Sequence, residues 1–107
     1  MKYGLSNEVL QLLEAVFTQH PVVERVILYG SRALGTYRTG SDIDLAISGK
    51  QLTRQKLLDL RIDLDKLDLI HTVDVLNLKT VSNPDLLDHI QRIGILIYQS
   101  ANPDKHK

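Results

Sequence analysis

Two aspartates one residue apart, Asp42 and Asp44, follow a Gly30-Ser31 pair with ten residues between. On a strand, side chains alternate, so Asp42 and Asp44 share one side while Ile43, Leu45 and Ile47 turn to the other, the core side. Two carboxylates in one small space repel each other, raising one pKa unless a cation or solvent relieves them. Mg²⁺ suits such a pair, because it takes oxygen ligands and is usually completed by substrate phosphates. Gly30 ends an apolar run and opens a short helix over Ser31 to Leu34, where a missing Cβ lets a ligand approach the backbone. Free amides and the helix dipole favour an anion there. Ser31 adds a hydroxyl, and Arg32 a charge that faces either phosphate or solvent. Either pair alone is usually a turn or a solvated strand face. Together, at this spacing, they arise by chance in about one chain per thousand of this length.

The elements that must hold these residues are legible from periodicity. Ser6 or Asn7 caps a helix whose Val9, Leu10, Leu12, Leu13, Val16 and Phe17 recur at helical spacing up to His20-Pro21. Val23 to Tyr29 is a β-branched strand that delivers Gly30 at its end. The connection from Ser31 to Ser41 carries Gly35, Tyr37, Arg38 and Gly40. It either closes over a nucleotide, with Arg38 near phosphate and Tyr37 near the base, or is a mobile polar loop. Asp42 to Ser48 is the next strand. Thr53 caps a helix over Leu57, Leu58, Leu60, Leu64 and Leu67, on which Asp63 and Asp65 point in different directions and make no metal pair. Thr72 to Leu76 is a strand in which Asp74 sits among valines, an expensive place for a charge without a partner. The alternative is an edge-strand aspartate facing water. Asn83-Pro84 starts a last helix that ends at Gly94, and Ile95 to Tyr98 is a short strand. The polar stretch 99–107 is expected to fray. The order predicts an α/β domain with a small mixed β-sheet packed with helices.

The chain's 107 residues predict one domain, 1–107, without room for a second substrate-binding unit. Thirteen basic and thirteen acidic side chains give no pull toward nucleic acid or an anionic membrane, so neither partner is supported. Cysteine is absent, which removes disulfides, thiolate zinc and a thiol nucleophile together. With no eighteen-residue apolar run, the expectation is a cytoplasmic protein. His20, His71, His89 and His106 lack metal-ligand spacing. Strict alternation turns His71 away from Asp74, and it receives no catalytic role. Thr36 stands where a Walker loop needs lysine.

Gly30, Ser31, ten residues, Asp42, Ile43 and Asp44 resemble the signature of the DNA polymerase β-like nucleotidyltransferase superfamily. The run from Gly30 to Leu45 in so short a chain resembles the minimal nucleotidyltransferases (MNT), antitoxin partners of HEPN-domain toxins. The resemblance implies a polymerase β-like core and a third acid on a neighbouring strand, the position Asp74 matches. It implies catalysis by Asp42, Asp44 and Asp74 with two Mg²⁺, ATP as substrate, and nucleotide contacts from Gly30, Ser31, Arg32 and Arg38. It also implies AMP transfer to a hydroxyl of a HEPN-domain partner within a hetero-oligomer. Leu34 departs from the pattern, standing where similar enzymes often carry arginine, a contact that Arg32 or Arg38 would replace. Two readings compete: a non-catalytic binding module that acts by forming a complex, and a stand-alone small-molecule nucleotidyltransferase, which lacks an acceptor domain here.

Overall fold

The computed structural model describes residues 1–101. Ser6 accepts the Val9 N–H at 3.2 Å and starts α1 (Asn7–Thr18), whose buried stripe is Leu13, Val16 and Phe17. β1 (Arg25–Tyr29) leads through Gly30 into α2 (Ser31–Leu34), and β2 (Ile43–Ser48) follows the loop. Thr53 accepts the Lys56 N–H at 3.1 Å and caps α3 (Arg54–Asp65). β3 (Val73–Asn77) runs into a 3₁₀ turn, Leu78–Thr80, unforeseen in the sequence. Asn83 accepts from the Asp85 and Leu86 amides to cap α4 (Pro84–Ile93), and β4 (Ile95–Gln99) closes the chain.

The strands form one mixed sheet in the order β3-β2-β1-β4. β1 is antiparallel to both neighbours, and β2 and β3 are parallel, which requires the crossover that α3 supplies. Val26, Leu28, Ile43, Leu45 and Ile47 are wholly buried on one face, against Phe17 of α1 and Leu60 and Leu64 of α3. His20 and Asp63, 2.7 Å apart, tie the end of α1 to α3. That contact gives Asp63 a structural partner.

Ile27, Tyr29, Asp44, Ala46 and Asp74 belong to the opposite face by alternation. α4 lies against β1 there: a Cβ on Gly94 would meet Ile27 Cγ2, and the His89 ring stands edge-on to Tyr29 at 6.1 Å. Asp44 and Asp74 stay only partly buried. One face of the sheet is therefore core, and the other carries the polar row.

Element edges differ in two informative places. Val23 is buried but lies in a turn, its N–H donating to His20 O, so β1 begins at Arg25. Gln99 belongs to β4, and the Ser100 N–H donates to Glu24 O at 2.8 Å, so the chain does not fray from residue 99. The rest of that expectation, from 102 onward, lies outside the described residues.

Candidate active site

β2 and β3 bring the acids together. Asp44 and Asp74 are direct partners in the parallel ladder, and Asp42 flanks β2 two residues before Asp44. One carboxylate oxygen from each of Asp42, Asp44 and Asp74 lies within 4.8 Å of the other two. Burial, then Asp74, then Asp42 raise the Asp44 pKa, while the charge of Arg32 pulls it back. Tyr29 extends the row, being paired with Asp44 across β1 and β2. Its phenol is pushed up to about 12 by burial first and by Asp44 and Asp74 next, which keeps it protonated. Three converging carboxylate oxygens are the donor set of a hard divalent cation, and its charge would remove the repulsion that raises Asp44.

Beside the acids, the chain makes a tight turn at Gly30. Its φ is +77°, and a Cβ there would run into Asp44 Oδ2, so glycine is required by backbone and neighbour alike. The space expected to admit a ligand is taken by the catalytic candidate itself. The Gly30 N–H is also committed, donating to His89 Nε2 at 3.0 Å. The first helical bond of α2 runs from Leu34 N–H to Gly30 O, so the amides of Ser31, Arg32 and Ala33 precede it without helical acceptors. Among the described residues the Ser31 hydroxyl has no hydrogen-bond partner. Among the described residues, the donors this turn leaves unused are thus the Ser31 hydroxyl and the amides after Gly30.

Arg32 faces neither phosphate nor solvent as the sequence suggests; only 2% of it is exposed. Its Nη1 donates to Tyr3 O at 2.9 Å, and Nε and Nη2 donate to Ser41 O at 3.2 and 2.8 Å. Nη2 also meets His71 Nδ1 at 3.1 Å. The Tyr37 ring lies over the guanidinium at 5.4 Å. Arg32 therefore joins the N-terminal turn, the residue before Asp42 and the approach to β3, acting through its charge and these carbonyls. His71, whose pKa is lowered by burial and by Arg32, serves as its acceptor. Arg38 is different. Its N–H donates to Ser41 Oγ at 2.8 Å, which tightens the loop, while its exposed guanidinium has no partner among the described residues.

A cleft of about 470 Å³ beside the loop is lined in part by Tyr37, Arg38, Ile70 and His71, and one of about 540 Å³ lies between α3 and Val75. None of the three aspartates lines either. Sequence reasoning missed His89 and Tyr29. The signal for His89 was a polar residue in the inward stripe of α4, between Leu86 and Ile90 and Ile93.

The polymerase beta nucleotidyltransferase family model matches residues 11–103. No curated protein matches the chain. Among solved structures, the fold is similar to a chain of a toxin–antitoxin complex with AMP-PNP: 23% identity, 87% of this chain, 75% of that one, TM-score 0.68. It is also similar to a chain of a mutant MntA–HpeT toxin–antitoxin complex, with 24% identity over 94% of this chain and 78% of that one, TM-score 0.64. A third is a chain of the complex between tri-AMPylated Shewanella oneidensis HEPN toxin and MNT antitoxin, at 23% identity over 88% of this chain and 69% of that one, TM-score 0.57. At these identities the likeness is one of fold. The family match spans the Gly30 turn and all three aspartates, and the chain belongs to the polymerase beta nucleotidyltransferase family.

Proposed function

We propose that this chain transfers AMP from ATP to a hydroxyl of a partner protein, a HEPN-domain toxin, and neutralises it. The observation that carries the reading is the cluster of Asp42, Asp44 and Asp74 beside the unpartnered donors of the Ser31 turn. Like charges so close oppose one another, and burial with the neighbouring carboxylates holds Asp44 above its ordinary pKa. Support for nucleotide and partner comes from the similar folds, one with AMP-PNP and one with an AMPylated HEPN toxin.

Asp42, Asp44 and Asp74 would hold the divalent metal, Mg²⁺ by the chemistry of the donor set and two ions by the family resemblance. Bound there, the metal supplies charge neutralisation at the triphosphate and at the incoming hydroxyl. Ser31 and the amides after Gly30 hold the departing β and γ phosphates, and exposed Arg38 approaches them from the loop. The acceptor oxygen bonds to the α-phosphorus as the bond to the bridging oxygen breaks. Pyrophosphate leaves with that electron pair, and the hydroxyl proton is released to solvent. Arg32 keeps the loop and the strand starts in place while this happens.

The test is transfer from α-phosphate-labelled ATP, with Mg²⁺, to the co-purified partner. Label should appear on the partner and fall about a hundredfold to a thousandfold in Asp42→Asn or Asp44→Asn, the scale expected when charge stabilisation of a transition state is removed. A stable complex that never takes label from any nucleoside triphosphate would leave complex formation alone as the function.

A further inference from the structure

Outside the acidic cluster, one side chain from a distant element reaches the nucleotide turn. His89 lies on α4, and its Nε2 accepts the Gly30 N–H at 3.0 Å across 59 residues of sequence. Gly30 is the residue whose positive φ turns the chain from β1 into α2, so its peptide orientation decides where the Ser31 hydroxyl and the next amides point. Gly30 contributes no side chain to cap α2, and the turn is held at this amide from outside. The His89 ring is itself seated. It stands edge-on to Tyr29 at 6.1 Å, an interplanar angle of 80°, and α4 is anchored by Ile90, which is 2% exposed.

We infer that His89 is a positioning residue for nucleotide binding: from α4 it fixes the Gly30 peptide so that the Ser31 turn is preformed for the triphosphate. This rests on the nucleotidyltransferase reading of the same site. The turn's donors are useful only if they converge before the anion arrives, since a turn that must be ordered on binding loses part of the affinity it provides. A hydrogen bond from a packed helix supplies that order. Accepting at Nε2 places the ring proton on Nδ1, and the role requires an acceptor at the Nε2 position rather than a basic group.

Three variants separate the acceptor from the ring. His89→Gln carries an amide oxygen at about the reach of Nε2, His89→Phe keeps an edge-on ring against Tyr29 without an acceptor, and His89→Ala removes both. Binding of Mg·ATP to the purified chain is measured by calorimetry, which needs no acceptor protein. Exchange of the Gly30 amide hydrogen is followed by NMR without nucleotide. The expected result is affinity weakened about fivefold to tenfold in His89→Phe and His89→Ala, the scale of one hydrogen bond, and restored within about twofold in His89→Gln. Gly30 amide exchange should accelerate in the first two and not in the third. Equal affinity in wild type and His89→Phe overturns the inference while leaving the proposed function intact, as does slow Gly30 exchange in His89→Phe. Wild-type protein that binds no Mg·ATP overturns the nucleotide reading itself, and with it this role for His89.

Discussion

Asp44 sits where burial and two other carboxylates all disfavour its charge. Its folded pKa is raised, so between its ordinary value and the raised one the native state binds more protons than the unfolded chain. Stability of the metal-free protein therefore falls as pH rises through that window. Asp44→Asn removes the charge and should stabilise the metal-free fold at neutral pH by about 0.5 kcal/mol, after discounting for solvent screening of a half-exposed group. In thermal unfolding that is about 2–4 °C, with the advantage vanishing below about pH 4. If Asp44→Asn proves less stable than wild type at pH 7, the carboxylate has a favourable partner. At this scale the sequence was readable where chemistry is local: Asp42 and Asp44 come together as expected, although β2 begins at Ile43 and Asp42 lies just before it, whereas Asp74 was singled out by the family resemblance and pairs with Asp44. Arg32 and Gly30 were misread because their partners are remote. His71 stands 39 residues from Arg32 and His89 stands 59 from Gly30, distances at which no local pattern reports a contact.

Elements meet at Arg32, which links the N-terminal turn, the loop before β2 and the approach to β3 through Tyr3, Ser41 and His71. Truncating it leaves the partly buried carbonyls of Tyr3 and Ser41 without these donors and empties a buried site, so Arg32→Met should cost on the order of 3 kcal/mol in urea unfolding. Arg38→Ala, on the same loop, removes only an exposed side chain and should change stability by less than about 0.5 kcal/mol. Equal losses in the two variants would contradict this division of labour. Helix starts were legible because Ser6, Thr53 and Asn83 cap through their own side chains. Strand limits were less so. Val23 has the composition of a strand residue and is buried as one, yet its amide is used in a turn. Composition reports burial, whereas pairing decides where a ladder begins.

Over the whole molecule, the α/β class and order of elements followed from periodicity, but the sheet order β3-β2-β1-β4 did not. The pairing of β4 with β1 is a choice among strands of similar character, and it joins Arg25 to Gln99 across most of the described chain. The parallel β2–β3 pair has a further consequence, for the history of each copy rather than its native state. β1 and β2 pair across a short connection, whereas Asp74 reaches Asp44 only after the α3 crossover has closed. Such non-local pairing forms late, because loop closure must precede the contacts that reward it. Pulsed hydrogen exchange during refolding should find the Ile27 and Ala46 amides, which face each other across β1 and β2, protected before that of Leu76 on β3; simultaneous protection would remove this ordering. A nascent or half-folded copy then holds two acids and awaits the third, so the chain gains its chemistry in the same step that completes its sheet.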